Sequence, residues 1–409
     1  MREMKDSGIP WIGEIPKEWT IELIGNQVKE VNNPNTNGLE DNALQFKMGS
    51  IISKSCGDSK YNPETLEGYN IVDKGVIMLN GLNLSFDLIS QRVGLVRERG
   101  VITSTYLAVK PSNNIDSEYL TYLFKAYDNC KAFHSMGRGL RQTLSYGELR
   151  KYLLLYPSLA EQQRIAEFLD RKCGEVDEMI GLQEQIIEEL KAYKQSVITE
   201  AVTKGLNPAA PMRDSGVVCI GEIPSHWEMK SLRFVLDNLD YLREPISAEH
   251  RERNNPIYDY YGASGVIDKI DYYNVDDKVL LIGEDGANLR MRNLPLIYKA
   301  SGKFWVNNHA HILKPISDNY DYLAMLLEAL DYTDFITGSA QPKLSQDNLK
   351  KIRLCIPPIA EQQAIADYLD EKCADIDSLI QTKQQKIDSL KEYKKSIIYE
   401  YVTGKREVE

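Results

Sequence analysis

Residues 160–180 read AEQQRIAEFLDRKCGEVDEMI, and residues 360–380 read AEQQAIADYLDEKCADIDSLI. The same pattern is written twice at an offset of 200 residues in a chain of 409. Every third and fourth residue onward from the first leucine gives Leu169, Cys173, Val176, Ile180, Gln183, Ile187, Leu190, Lys194, Val197 and Ala201. The second copy gives Leu369, Cys373, Ile376, Ile380, Lys383, Ile387, Leu390, Lys394, Ile397 and Tyr401. Each series is a heptad seam with polar breaks at matching positions. With no proline and only Gly174 and Gly181 as interruptions, a helix of about 44 residues and roughly 65 Å is expected for each copy. Such a helix outruns an ordinary core, so its apolar stripe needs a partner, and the other copy is the obvious one. Two homologous units in one chain pair most simply about a pseudo-twofold axis, which makes the helices antiparallel. Cys173 and Cys373 would then lie on the order of 25 Å apart, too far for a disulfide.

The duplication extends beyond the helices. SGIPWIGEIPKEW at 7–19 returns as SGVVCIGEIPSHW at 215–227, and AYKQSVITEAVTKG at 192–205 returns as EYKKSIIYEYVTGK at 392–405. The offset falls from 208 to 200 between the first and second of these matches, so the first intervening segment is longer by eight. Residues 20–143 and 228–342 share almost no sequence. A repeated frame therefore holds two different inserts, which suggests that the frame sets geometry and the inserts set specificity.

Composition narrows the possibilities. A chain of 409 residues is long enough for two or more cores. Hydrophobic content of 43% and charged content of 27% are ordinary for a globular protein. No apolar run approaches the roughly 18 residues of a membrane span, and the N-terminal stretch has no signal-peptide core, so a cytoplasmic protein without membrane association is expected. Six cysteines without a CxxC pair argue against a zinc site or a disulfide framework. The net charge of −11 cuts against a simple nucleic-acid binder; either DNA is not the ligand, or local basic patches and a basic partner supply the binding.

The inserts read as mixed α/β. LQFKMGSIIS, GVIMLNGLNLS and GVITSTYLAVKP in the first, and IYDYYGASGVIDKIDYY, KVLLIGEDGAN and FWVNNHAHILKP in the second, are short strand-like runs punctuated by turn residues. Helices are expected over 117–129 and 319–335, followed by Ser145 and Ser345 as helix N-caps. The loops before those caps carry Arg138, Arg141 and Gln142 in one half and Gln341 and Lys343 in the other. These residue types read base edges in a major groove; a solvated turn explains them equally well. Tyr261, Ser264, Arg290, Arg292, Asn307 and Asn308 are further groove candidates against ordinary turn chemistry. His309 and His311 could ligate a metal but lack a third ligand nearby, so they more simply pack or reach DNA. GEDGAN at 283–288 lacks the ligand spacing of a calcium loop and reads as a hairpin turn. Glu161, Gln162 and Gln163 and their copies suit a helix first turn rather than catalysis. No catalytic and no metal residue is assigned.

Taken together, the SGIPWIGEIPKEW lead-in, the doubled P-x-L/I-A-EQQ-x-I-A-x-x-L-D helices, the VTKG and VTGK exits and the GSAQPKLS and NNHAHIL phrases resemble the specificity subunit of type I restriction-modification systems over essentially the full length. The resemblance implies an α+β architecture: two mixed α/β target recognition domains (1–156 and 207–356) alternate with two long spacer helices (157–206 and 357–409) that pack as an antiparallel, pseudo-twofold coiled coil. The seam is expected at Leu169, Val176, Ile180, Ile187, Leu190, Val197, Leu369, Ile376, Ile380, Ile387, Leu390 and Ile397. It further implies that each domain reads one part of a split, asymmetric site in double-stranded DNA, and that the helices dock two methyltransferase subunits. A restriction motor-nuclease subunit completes the complex. S-adenosylmethionine would then belong to the methyltransferase, and ATP and Mg to the restriction partner, with no cofactor in this chain. That division suits a sequence with no Asn/Asp-Pro-Pro-aromatic motif, no Gly-rich cofactor loop and no phosphate loop. Two other classes compete. A pure scaffold needs no dissimilar inserts, and a reader fused to its own enzyme needs motifs that are absent.

Overall fold

A computed structural model of the chain describes residues 2–54, 66–84, 91–137, 142–251, 256–338 and 341–408. The repeated seams form two long helices, Leu159–Lys204 and Ile359–Val402. The chain divides into two compact units, one of residues 1–184 with 385–409 and one of residues 185–384. Each unit thus holds the start of one long helix and the end of the other.

In the first unit the helices run antiparallel: Lys394 Nζ reaches Asp177 at 2.6 Å, and nearer the ends Phe168 stacks on Tyr401 with ring centroids 4.3 Å apart. The second unit repeats this with Lys194 and Asp377 at 2.6 Å, while Ile198 and Val202 share a core with Ile365 and Leu369. Leu169, Val176, Ile187, Leu369, Ile376, Ile387 and Ile397 are buried along the seam; Ile180, Leu190, Val197, Ile380 and Leu390 are half-buried. Cys173 is buried against the first unit's core, Cys373 packs against the second, and both are free thiols.

The glycines of the VTKG and VTGK exits end these helices in the left-handed region, Gly205 at φ +73° and Gly404 at φ +70°. At Gly404 a Cβ would stand 2.3 Å from Pro16 Cδ, so the site excludes a side chain twice over.

The inserts share an architecture that their sequences hide. In the first unit β1 (Val28–Glu30), β2 (Ile77–Leu79), β3 (Val93–Leu95) and β4 (Leu107–Pro111) form an antiparallel sheet in the order β1-β4-β2-β3. It is followed by α1 (Ser117–Asn129), capped by Asp116, whose carboxylate accepts from the Tyr119 N–H at 2.9 Å. In the second unit β5 (Leu236–Asn238) comes first, then β6 (Tyr258–Gly262), β7 (Gly265–Ile270) and β8 (Val275–Asp276). After these come β9 (Val279–Gly283), α2 (Gly286–Met291), β10 (Ile297–Ala300), β11 (Lys303–Val306) and β12 (Ala310–Pro315). Here the sheet order β5-β12-β9-β10 repeats the first, and β7-β6-β11-β8 makes a second sheet. The registers correspond: Val109 pairs with Glu30 and Ile77, and Leu313 with Asn238 and Leu280.

The helix after β12 is α3 (Tyr320–Ala329), and a separate 3-10 turn follows at Thr333–Phe335. The sequence suggested one helix over 319–335. It breaks because Arg292 donates to the Glu328 carbonyl at 2.8 Å and to that of Leu330, while Asp331 accepts from Thr333 N–H at 2.9 Å and starts a new turn.

Frame and insert are joined by the same bonds in both units. Gln162 accepts from Asp116 N–H at 2.8 Å and donates to the Pro157 carbonyl at 2.9 Å. Gln362 accepts from Asn319 N–H at 2.7 Å and donates to Pro357 at 2.9 Å. The buried hydroxyl of Tyr119 lies between the carbonyls of Leu155 at 3.3 Å and Val402 at 3.4 Å, and that of Tyr322 between those of Cys355 at 2.9 Å and Val202 at 3.2 Å. Burial pushes both phenols well above their ordinary range. The EQQ motif is thereby a joint, with its first glutamine as the pin.

Candidate nucleic-acid interface

The loop before each predicted cap is held in one way in both units. Ser345 caps Gln346–Leu349 through Asn348 N–H at 3.3 Å, and Ser145 caps Tyr146–Leu149 through Glu148 N–H at 3.4 Å. Just upstream, Leu344 N–H donates to the Glu284 carbonyl at 3.0 Å and Gly286 N–H to Pro342 at 2.9 Å. In the first unit Leu144 N–H donates to Gly81 at 2.8 Å and Leu84 N–H to Gln142 at 3.2 Å. Each candidate loop is therefore stitched to the loop that leaves one of the two central strands of its sheet, β2 or β9.

In the second unit this seam borders an open cleft of about 330 Å³ lined by Ala263, Glu284, Asp285, His309, Gln341, Pro342 and Lys343. The cleft brings together three sequence candidates, Gln341, Lys343 and His309, from two segments of chain. All three are exposed, and they present an amide, an ammonium and an imidazole, groups that can donate to base edges or phosphates. The GEDGAN stretch is not a hairpin turn: Asp285 is the N-cap of α2, accepting from Ala287 N–H at 3.0 Å, because its short side chain reaches the free amides of the first turn.

Behind the cleft lies a charged network that no local sequence pattern announces. Arg243 contacts Asp240 at 3.4 Å and also binds Glu284, and Lys343 reaches Glu284 at 3.6 Å. His311, only 1% exposed, contacts Asp240 at 2.6 Å through Nδ1 and the Leu344 carbonyl at 2.9 Å through Nε2. Burial would push Asp240 up. The His311 hydrogen bond and charge, the Ile312 N–H and Arg243 outweigh it and hold the carboxyl below its ordinary range.

The remaining candidates are more dispersed. Ser264 is exposed in the turn from β6 to β7, and Tyr261 is half-buried with its ring edge-on to Phe304. Asn307 is buried and accepts from His309 N–H at 2.8 Å, shaping that loop, while Asn308 is exposed. Arg290 is exposed on the last turn of α2; Arg292 spends its guanidinium on the end of α3. In the first unit Gln142 is half-buried at φ +42°; Arg138 and Arg141 lie outside the described residues. Sequence reasoning missed Arg92, 1% exposed, which donates to the carbonyls of Asn80 at 2.9 Å and Leu82 at 2.8 Å and so braces the loop that holds residues 142–144.

The family model for the type I restriction modification DNA specificity domain matches residues 96–192 and 224–392, more than half of the chain, once in each repeat. The chain belongs to this specificity family. A type I restriction enzyme specificity subunit of Methanocaldococcus jannaschii, MjaVIII, is 23% identical over 424 residues, covering 96% of this chain and 93% of that protein. A Haemophilus influenzae protein described as a specificity subunit of the same enzyme class is 31% identical over 147 residues, 36% of this chain and 37% of that protein. A chain from a solved type I R-M system covers 96% of this one at 13% identity with a TM-score of 0.69, a likeness of fold. In the specificity family's terms, the repeated helices and their unlike inserts are one architecture, α+β with an antiparallel coiled coil. Among the described residues no helix is long and apolar enough to cross a membrane.

Proposed function

We propose that this chain is the DNA-reading subunit of a type I restriction-modification complex, in which each insert reads one half of a bipartite, asymmetric site in double-stranded DNA. The observation that carries this reading is the paired construction of the inserts. Two segments without recognisable sequence similarity keep one sheet order and stitch the loops before Ser145 and Ser345 to equivalent places. Constant placement with variable side chains is what two readers of different half-sites require.

The long helices space the two readers and dock two methyltransferase subunits, and a restriction motor-nuclease joins the same complex. The chain itself is non-catalytic: S-adenosylmethionine works in the methyltransferase, ATP and Mg in the restriction subunit, and the assembly acts in the cytoplasm. Its recognition domains span 1–156 and 207–356, its spacer segments 157–206 and 357–409. The net charge of −11 is compatible with this division, because the partners supply much of the phosphate contact. The candidates for base and backbone contact are Gln341, Lys343, His309, Asn308, Ser264, Tyr261, Asn307, Arg290 and Arg292 in the second domain, and Gln142 with Arg138 and Arg141 in the first.

The test is methylome sequencing of a methylation-free host that carries this chain with a cognate methyltransferase subunit. A split motif with an unspecified gap, lost when this chain is omitted, is expected. Methylation at one uninterrupted motif, or methylation indifferent to the chain, would refute the reading.

A further inference from the structure

The ion network behind the second cleft does not belong to the duplicated frame. The sheet registers place His311 where the first unit has a leucine: His311 pairs with Ile282, and Leu107 with Leu79. Leu107 packs against the apolar core; His311 is fully enclosed and bonded at both nitrogens. Burying charge costs free energy unless geometry and hydrogen bonds offset it, and an apolar side chain at this position already serves one unit of the same chain. The network is therefore a property of one insert, and it sits directly behind the residues that line that insert's cleft.

Its connections show what it holds. The Leu344 carbonyl can only accept, so His311 Nε2–H donates to it. Asp240 accepts from Ile312 N–H at 2.9 Å through one oxygen and holds Nδ1 at 2.6 Å with the other. Glu284 stands 3.9 Å from Nε2 and is bound by Arg243 on one side and Lys343 on the other. His311 thus ties the segment carrying Gln341 and Lys343 to the sheet through its bond to the Leu344 carbonyl and is itself held by Asp240, and a leucine can make neither bond. Resting on the recognition reading above, we infer that His311 is a positioning residue for the second recognition domain: it fixes the Lys343–Leu344 strand at the height from which Gln341 and Lys343 meet DNA, and touches no base itself.

The experiment uses the full chain with its methyltransferase subunit and measures methylation rates on duplexes altered in one half-site at a time. His311→Leu, which copies the first unit, is expected to lower discrimination at the second half-site about tenfold and to leave the first half-site read as in the wild type. His311→Gln keeps one donor for the Leu344 carbonyl and is expected to restore most of that discrimination, a rescue that a merely structural filler would not show. Thermal unfolding of each variant checks that the chain is folded; if His311→Leu does not fold, His311→Met, equally unable to donate to the Leu344 carbonyl, takes its place. Wild-type discrimination at both halves in the apolar variant, equal loss at both halves in a folded chain, or no rescue by His311→Gln would each overturn the inference. A wild-type chain that directs no split motif would overturn the recognition reading itself and this inference with it, so the two failures are distinguishable.

Discussion

Lys194 contacts Asp377 at 2.6 Å, and Lys394 contacts Asp177 at 2.6 Å. One lysine–aspartate pair thus appears twice, each time joining the end of one long helix to the start of the other. The aspartates are well exposed and the lysines partly so, which makes each pair worth roughly 0.2–1 kcal/mol. The pairs suit antiparallel pairing; the apolar seam supplies the strength.

Lys194→Ala is accordingly expected to cost less than about 1 kcal/mol, while Ile187→Ala, at a buried seam position, costs about 2–4 kcal/mol. Chemical denaturation of the two variants checks this. An Ile187→Ala chain as stable as Lys194→Ala would mean that the helices do not depend on the seam.

Gln162 offers a sharper test of the joint between helix and insert. Its amide satisfies Asp116 N–H and the Pro157 carbonyl together, so Gln162→Ala orphans a donor and an acceptor in a buried place and is expected to cost about 1–3 kcal/mol. Gln163 is exposed, so Gln163→Ala serves as the control and is expected to be near neutral. Equal stability of the two variants would show that the motif is only a favourable helix start.

The helices, the duplicated frame and both caps were legible in the sequence, because heptads and Ser N-caps are local patterns with fixed spacing. The likeness of the inserts was not. Val109 and Leu313 occupy corresponding places between Glu30 and Ile77 and between Asn238 and Leu280, a relationship of strand order that leaves no short motif. The site was legible in part. Gln341, Lys343 and His309 are singled out by residue type and do line one cleft; Asp240, Arg243 and Glu284 are not, because Asp240 and Glu284 meet His311 only across 71 and 27 positions and Arg243 meets Glu284 across 41. Arg292 shows that residue type alone leaves a role open, since a basic residue after a short helix can equally well bond the end of a neighbouring helix, as Arg292 does at Glu328.

Gln341→Ala with Lys343→Ala separates recognition from stability. Lys343 is about half-exposed, and Glu284 keeps its Arg243 partner without it, so the double variant is expected to unfold within about 1 kcal/mol of the wild type. Reading of one half-site alone is expected to relax, by about 1–3 kcal/mol for a lost bidentate base contact. Unchanged reading of both halves would remove these residues from the interface.

Asp240 gives the network a pH signature. Its carboxyl is held below the ordinary value of about 3.9. A depressed carboxylate contributes stability that is complete above its unfolded-state value and is lost as pH falls through its folded one, so the contribution disappears in strongly acid solution. Asp240→Asn removes that proton linkage. The difference in unfolding free energy between wild type and variant is expected to be constant from about pH 5 to 7 and to shrink below about pH 4. A difference independent of pH throughout would mean that Asp240 acts through shape and not through charge.

The spacing role of the helices can be tested at the point where the two units divide, between Glu184 and Gln185 and between Gln384 and Gln385. One heptad inserted there in both helices keeps the seam in phase and lengthens each by about 10 Å at 1.5 Å per residue. With base pairs spaced about 3.4 Å apart along the DNA axis, the same two half-sites are expected to be methylated across a gap about three base pairs longer. A four-residue insertion of the same kind shifts the seam out of phase, so it is expected to cost stability as well as alter the gap. Heptad variants that fold and methylate across the original gap would show that something other than helix length sets the distance between the two readers.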